Sequence, residues 1–114
     1  MKEILCKPTD CSARDPYVFR HNGLFYHCFS RDGTAISISC ADSIEGLSRA
    51  EEKIVFLAEE GKAYSKEIWA PELYIIDGRC YIYFAGDDGD NRNHRMYVLV
   101  NDSDEASHPQ THNP

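Results

Sequence analysis

An internal repeat constrains the fold of this chain more than any other feature of its sequence. Four features recur 55 positions apart: Pro16 and Pro71, Asn22-Gly23 and Asp77-Gly78, Tyr26 and Tyr81, and Phe29 and Phe84. Further along, the spacing grows to 60, as in Ile36 with Met96, Ile38 with Val98, and Asp42-Ser43 with Asp102-Ser103. The 5 additional residues lie in the second copy, in the loop 86–93. The chain therefore contains two similar units in succession.

Each unit carries the signals of short β-strands. Asn22-Gly23 and Asp77-Gly78 are dipeptides that strongly favour two-residue hairpin turns. Residues 35–40 alternate isoleucine with serine, which is the period of a half-buried strand. Runs rich in aromatic and β-branched residues supply the other predicted strands, at residues 17–19, 24–30, 53–57, 72–76, 79–85 and 95–100. The predicted fold class is all-β.

Four strands per unit, a hairpin in the middle and a period of about 50 residues indicate blades of a β-propeller. The alternative is a single β-sandwich that contains two similar hairpins. In the propeller interpretation, residues 1–12 are a lead-in, 13–60 the first blade, 61–100 an incomplete second blade without its outer strand, and 101–114 a polar, disordered tail. Because known propellers close with roughly 4–8 blades, we expect the chain to be the front part of a longer protein.

Composition and charge exclude several classes of partner. The chain has 12 Lys and Arg residues against 19 Asp and Glu, a net charge of −7, which disfavours binding to a nucleic-acid backbone. No apolar run approaches the roughly 20 residues of a membrane-spanning helix. The first residues contain no apolar signal-peptide core, and an odd number of cysteines, 5, fits a reducing compartment. We therefore expect a cytoplasmic protein with free, buried thiols, no nucleic-acid partner and no membrane contact.

Several segments resemble a known enzyme family. Residues 13–18 (Ala-Arg-Asp-Pro-Tyr-Val) resemble the opening strand of glycoside hydrolase family 43, and residues 67–73 (Glu-Ile-Trp-Ala-Pro-Glu-Leu) resemble its Trp-Ala-Pro-Glu motif. Residues 77–85 resemble the strand that follows this motif. Residues 87–89 and 93–99 (Asn-His-Arg-Met-Tyr-Val-Leu) resemble a loop and a strand of the family's α-L-arabinofuranosidase-like branch. Together these segments extend the resemblance over most of the chain.

The resemblance implies a five-bladed β-propeller, of which this chain contains about the first two blades. It also implies an inverting glycosidase that removes arabinofuranosyl or xylosyl groups from plant polysaccharides. Inverting enzymes use two carboxyl groups roughly 6.5–9.5 Å apart, one to take a proton from water and one to protonate the leaving oxygen. Asp15 matches the family's general base; the alternative is that Asp15-Pro16 is only a turn that leads into a strand. The family's general acid, and the aspartate that tunes its pKa, belong to later blades outside this chain.

The resemblance also indicates residues that bind substrate. Trp69 matches a region that lines the family's sugar pocket, and a flat ring suits the apolar face of a sugar; the alternative is packing between blades. His94 and Arg95 follow a polar loop at the rim of the channel, where Arg95 would donate hydrogen bonds to hydroxyls or a carboxylate. The alternative for this pair is a solvated rim charge. Glu72 belongs to the second-blade motif and not to the blade of the family's acid, so we assign it a structural or pocket-lining role.

We expect no cofactor and no metal site. The acidic loop at residues 87–93 lacks the full spacing and the closing glutamate of a calcium loop, and no two cysteines form the Cys-x-x-Cys pair typical of structural zinc. The predicted partner is an arabinose- or xylose-containing saccharide, and open blade edges favour self-association. The alternative function is that of a non-catalytic propeller fragment that binds a saccharide or a partner chain.

Overall fold

Two four-stranded antiparallel sheets make up the computed structural model, which describes residues 14–101 and 110–112, with the side chains of residues 17–101. The first sheet contains, in spatial order, β1 (Arg14–His21), β2 (Leu24–Arg31), β3 (Ala35–Ala41) and β4 (Lys53–Leu57). The second contains β5 (Lys66–Ile76), β6 (Arg79–Asp87), β7 (Arg95–Asn101) and β8 (Gln110–His112). Short 3₁₀ turns, Glu45–Arg49 and Asn91–Asn93, connect β3 to β4 and β6 to β7. In the part of the chain that the structure describes, no helix is long and apolar enough to cross a membrane.

The internal repeat extends to the turns and to the register of the strands. The φ angles are 51° and 78° at Asn22-Gly23, and 51° and 76° at Asp77-Gly78. Positive φ at both central residues is what a type I′ hairpin turn requires, and it matches the right-handed twist of the flanking strands. Residues paired across the two hairpins are again 55 positions apart: Phe19 with Tyr26, and Tyr74 with Tyr81. The predicted all-β class is confirmed.

The outer edge of the second sheet differs from the prediction. The sequence predicts an incomplete second blade and a disordered tail from residue 101 onward. Instead, Asn101 belongs to β7, and Gln110–His112 pairs with β7 as a fourth strand. An edge strand requires main-chain hydrogen bonds on one side only, so a polar segment without apolar alternation can form one. Residues 1–12 and the remainder of the predicted tail lie outside the described residues.

The core lies between the two sheets. Apolar side chains from both sheets are buried there: Cys28, Ile36, Ile38 and Phe56 from the first, and Ile68, Leu73, Cys80, Ile82, Phe84 and Leu99 from the second. The ring centroids of Phe56 and Phe84 are 5.1 Å apart, with the rings tilted by 39°. This shared core makes one packed unit of the two sheets.

Two of the predicted free thiols are part of this core. Cys28 and Cys80 are both buried, and burial raises the pKa of the Cys28 thiol. Cys40 is exposed, contrary to the prediction of a buried thiol, because it lies near the end of β3. Cys6 and Cys11 lie outside the described residues.

The opposite face of the first sheet carries polar side chains that are nevertheless buried. His27 and Ser37 are 2% and 0% exposed. Ser37 Oγ donates a hydrogen bond to Glu52 Oε2 at 2.7 Å, and Arg31 forms an ion pair with the same carboxylate. The turn Glu45–Arg49 packs against β2 and β3. Within the described residues, His27 Nε2 has no hydrogen-bond partner.

Candidate functional site

The first strand of each sheet contains a β-bulge at an equivalent position of the repeat. The register of β1 shifts at Asp15-Pro16, and that of β5 shifts at Ala70-Pro71. A second shift in β5 lies just before Trp69. Bulges redirect side chains and are common next to active sites. The two bulges therefore mark this end of β1 and β5 as the candidate site.

The predicted general base, Asp15, lies in the bulge of β1. Its side chain lies outside the described residues, but the backbone around it is connected to the second sheet. Arg14 pairs with Ser30 of β2, and Ser30 Oγ donates a hydrogen bond to the carbonyl of Ile68 in β5. Ile68 precedes Trp69, so the strand ends that carry Asp15 and Trp69 are neighbours. The role of Asp15 as the base stays a prediction.

Trp69 lies at the surface between the two bulges of β5. Its side chain is 41% exposed, and its ring centroid is 4.8 Å from that of His94. Glu67 and Ala70, on either side of it, have φ of 53° and 51°. Left-handed backbone is unfavourable for residues with a Cβ and often accompanies functional sites. The backbone thus presents the indole outward, beside an imidazole, and its binding of sugar stays a prediction.

A buried carboxylate holds His94. Asp87, at the end of β6, is 0% exposed, and its Oδ2 is 2.9 Å from His94 Nδ1. Asp87 Oδ1 accepts a hydrogen bond from the Gly89 N–H at 2.9 Å, and its carbonyl accepts one from the Ser65 N–H at 2.9 Å. The site therefore contains a chain of contacts from a buried carboxylate through an imidazole to an exposed indole.

Asp87 is the site residue that the sequence analysis missed, since it was considered only as part of an acidic loop. Gly86 pairs with Arg95 in the β6–β7 hairpin, which places Asp87 opposite His94. The sequence does carry a partial signal, because an acid at the end of one predicted strand and a histidine just before the next one are brought together if the two strands pair as a hairpin. The register could not be predicted across a loop of irregular length.

Arg95 is directed toward the loop before it. Its Nη1 donates hydrogen bonds to the carbonyls of Arg92 and His94 at 3.1 and 2.8 Å. These contacts fix the turn that precedes β7. Arg95 is exposed, so it remains accessible, and its predicted contact with sugar is not tested by these bonds.

The acidic loop is stabilised by its own hydrogen bonds. Asp88 accepts hydrogen bonds from the Asp90 N–H at 3.0 Å and from Asn93 Nδ2 at 3.1 Å, and both lower the pKa of Asp88. Arg92 donates to Asp90 from its guanidinium at 2.7 Å, which lowers the pKa of Asp90. In the part of the chain described, no three His, Cys, Asp or Glu side chains are grouped so as to hold a metal ion.

Glu72 takes part in a tyrosine network. The Tyr74 hydroxyl donates a hydrogen bond to Glu72 Oε1 at 2.5 Å, which raises the pKa of Tyr74 to about 12. Tyr74 also forms a side-chain hydrogen bond with Tyr17 of β1, whose own pKa is raised by burial. Tyr74 thus links the first strands of the two sheets, and the structural assignment of Glu72 stays a prediction.

Comparison with known proteins establishes the family. The sequence model described as Glycosyl hydrolases family 43 matches residues 8–113. The chain belongs to this family. An extracellular exo-α-(1→5)-L-arabinofuranosidase of Streptomyces avermitilis is 34% identical over 88 residues, which are 75% of this chain and 18% of that protein. α-L-Arabinofuranosidase B of Pyricularia oryzae is 40% identical over 73 residues, 62% of this chain and 15% of that protein.

A solved family structure supports the same conclusion. The crystal structure of α-L-arabinofuranosidase from Lactobacillus brevis superposes with a TM-score of 0.75 at 30% identity, over 89% of this chain and 35% of that one. The family 43 resemblance and the five-bladed propeller type are thereby confirmed. The chain spans less than a fifth of the length of the two curated relatives and about a third of the solved structure.

The predicted cytoplasmic location is wrong. The Streptomyces relative is named an extracellular enzyme, which points to secretion. The prediction depended on the first residues and on an odd number of cysteines. Free thiols that are buried in a core are compatible with an oxidising compartment as well, because they do not react there.

Proposed function

We propose that this family 43 chain supplies two blades of an inverting glycosidase that removes arabinofuranosyl or xylosyl groups from plant polysaccharides or oligosaccharides. The observation that carries the proposal is the exposed Trp69 ring, which lies 4.8 Å from the His94 ring and is tilted by 50° to it, at the strand end next to Asp15. The three relatives reported above are named α-L-arabinofuranosidases, which supports the class of sugar.

In this proposal each residue has a separate task. Asp15 accepts a proton from the attacking water, which inversion requires on the face opposite the leaving group. Trp69 offers a flat apolar surface to the sugar ring. His94 and Arg95 contribute polar groups at the rim. A carboxylic acid from a part of the propeller outside this chain protonates the leaving oxygen, a step typically worth about 10²–10⁴-fold in rate.

The proposal predicts that the isolated chain binds a saccharide without hydrolysing it. Trp69 is the single tryptophan of the sequence, so its fluorescence reports directly on the site. We expect the fluorescence to change on titration with arabinotriose or xylotriose, and nitrophenyl arabinofuranoside and xyloside to remain intact. Trp69→Phe, followed by calorimetry, should weaken binding. Tyr83→Ala, at an aromatic of similar exposure (39%) on the outer sheet face, is the matched control and should leave binding unchanged.

Two results would contradict the proposal. Turnover by the isolated chain at an ordinary enzymatic rate would show that the acid lies within it or comes from a second copy. Equal losses of saccharide binding in the Trp69 and Tyr83 variants would show that the binding site does not lie at this end of the sheets. Saccharide binding by a complete propeller that lacks turnover would favour the alternative, a non-catalytic binding protein.

We also propose that the isolated chain self-associates through the outer face of the second sheet. Large apolar side chains are exposed on this face, with Met96 at 62% and Tyr83 at 39%. The repeat equates Met96 with Ile36 of the first sheet, which is buried in the core. A second copy would cover the face. Light scattering should detect dimers or larger species, and a monodisperse monomer at high concentration would contradict this.

A further inference from the structure

We propose that Asp87 is a positioning residue, which holds the His94 imidazole with Nδ1 protonated so that Nε2 accepts a hydrogen bond from a sugar hydroxyl beside Trp69. This inference rests on the proposed saccharide-binding function. The sequence resemblance assigns neither Asp87 nor the orientation of the His94 ring, nor Nε2 as the atom that contacts the sugar.

The tautomer follows from the chemistry of the pair. A carboxylate only accepts hydrogen bonds, so the proton between Asp87 Oδ2 and His94 Nδ1, 2.9 Å apart, belongs to the imidazole. A neutral imidazole that is protonated at Nδ1 has a free acceptor at Nε2. Sugar hydroxyls donate hydrogen bonds, and Nε2 is the complementary group.

The orientation follows from burial. Asp87 is fully buried, whereas the side chain of His94 is 23% exposed. The ring therefore spans from the buried carboxylate to the surface, with Nδ1 at its inner edge and Nε2 on the other side of the ring. Trp69 lies against the same ring at 4.8 Å between centroids. An apolar ring and a hydrogen-bond acceptor next to each other match the C–H face and the hydroxyl edge of a monosaccharide.

Asp87 itself has little freedom to move. The N–H of Gly89 is bonded to its Oδ1, and Ser65 is bonded to its carbonyl. Gly89 has φ of 103°, and a Cβ there would lie 3.3 Å from Cδ of Lys66. Glycine is therefore required for the turn that brings its N–H onto the carboxylate. Binding sites gain from groups whose partners lock them in one geometry before the ligand arrives.

The same distances would be seen if the Asp87–His94 contact only stabilised the loop before β7. The test must therefore separate this structural role from a sugar-binding role. An asparagine side chain can reproduce the Nδ1–H donor of histidine, and a glutamine side chain extends far enough to reproduce the Nε2 acceptor. If His94 has only the structural role, His94→Asn should preserve the loop and His94→Gln should disturb it. If His94 Nε2 contacts the sugar, His94→Gln should preserve the saccharide affinity and His94→Asn should lower it.

The experiment uses the complete chain, and arabinotriose and xylotriose as probes. We expect ring-nitrogen NMR of the wild-type chain to show His94 protonated at Nδ1 in weakly alkaline solution. His94→Asn should keep the fold but lose about tenfold in affinity for the trisaccharide, the value of one hydrogen bond of about 1.4 kcal/mol. His94→Gln should stay within about threefold of wild type.

Variants at Asp87 test the same inference independently, through the tautomer of His94 and the saccharide affinity. Asp87→Asn offers an amide that can donate as well as accept, so the Nε2–H tautomer should appear and affinity should fall. Asp88→Asn, at the neighbouring exposed acid, is the control and should change neither. A wild-type Nε2–H tautomer, or normal affinity in His94→Asn, would overturn the inference. A wild-type chain that binds neither trisaccharide would refute the proposed function and the sugar contact, while the NMR spectrum would still decide whether Asp87 sets the tautomer.

Discussion

The two sheets share strand order and register, but equivalent faces carry different residues. On the face of the second sheet that packs against the first, Ile82 and Leu99 are buried in the core. Their repeat equivalents in the first sheet, His27 and Ser39, are also buried, at 2% and 6% exposure, yet they are polar. The same strand pairing is therefore compatible with either apolar or polar buried side chains at equivalent positions of the repeat.

On the other pair of equivalent faces, both sheets carry apolar residues, but these are less buried in the second sheet. Ile36 of the first sheet is 0% exposed because the second sheet covers it, whereas its equivalent Met96 is 62% exposed. The apolar pattern was retained although no described residue covers it. A face with this composition suits contact with a further sheet, which is consistent with a chain that spans about a third of its solved relative.

The two bulges place different residues at equivalent positions of the repeat. Asp15 and Ala70 are equivalent, as are Arg14 and Trp69. The first copy places a carboxylate in its bulge, and the second places an indole beside its bulge. In the proposed function, the bulge of the first sheet supplies the general base and the bulge of the second sheet supplies a sugar-binding ring.

The largest effect should come from the core between the sheets. Phe84→Ala removes a ring that is 1% exposed and packs against Phe56, and should lower the free energy of unfolding by about 3–5 kcal/mol. The equivalent Phe29→Ala should cost less, near the low end of that range, because the neighbouring His27 and Arg31 side chains can move into the space. Urea denaturation of both variants measures the difference, and a greater loss for Phe29→Ala would contradict the comparison.

A smaller effect should come from making the first sheet resemble the second. His27→Leu replaces a buried imidazole whose Nε2 has no partner among the described residues by an apolar side chain, as at Ile82. Because an unsatisfied buried polar atom costs about 1–3 kcal/mol, we expect a gain of about 1–2 kcal/mol. Ser37→Ala is the control: it removes a hydrogen bond to Glu52 and should destabilise. A loss of stability in His27→Leu would contradict the expectation that the buried imidazole lacks a stabilising hydrogen bond.

Much of this comparison could be predicted from the sequence, because hairpin dipeptides and alternating residues act locally. Asn22-Gly23 and Asp77-Gly78 determined the turns, and the repeat itself predicted two equivalent sheets. The strand β8 could not be predicted, because it is held by main-chain hydrogen bonds that leave no side-chain pattern. Asp87 was missed because its contact with His94 depends on strand register across a loop.

The pH dependence of stability should differ between the wild type and His27→Leu. Burial lowers the pKa of His27 below its ordinary value of 6.5, so the unfolded chain binds a proton more readily than the folded one. The stability is therefore complete above pH 6.5 and falls as the pH decreases through the folded pKa, by at most about 1.4 kcal/mol per pH unit. Glu52, which faces His27, has a lowered pKa mainly because of its hydrogen bond with Arg31, so its effect appears only in more acidic solution. Identical pH profiles between pH 5 and 7, about the range in which histidine titrates, would contradict this.

The smallest effect should come from the bulge of the second sheet. Ala70 has φ of 51°, a conformation that costs a residue with a Cβ roughly 1–2 kcal/mol. Ala70→Gly relieves this strain but adds entropy to the unfolded chain, so we expect a net gain of about 0.5 kcal/mol. Ala63→Gly, in the exposed loop before β5 and without positive φ, is the control and should be neutral or slightly destabilising.

The role of Asp15 is tested most directly by kinetics on the complete propeller that contains this chain. Asp15→Asn keeps the size of the side chain but cannot take a proton from water, so it should abolish turnover while leaving the fold and trisaccharide binding intact. Glu72→Gln should retain measurable turnover, since Glu72 is bonded to Tyr74 in a structural network. Circular dichroism controls for folding. Near wild-type turnover of Asp15→Asn, or complete loss of turnover in Glu72→Gln with a normal fold, would contradict the account.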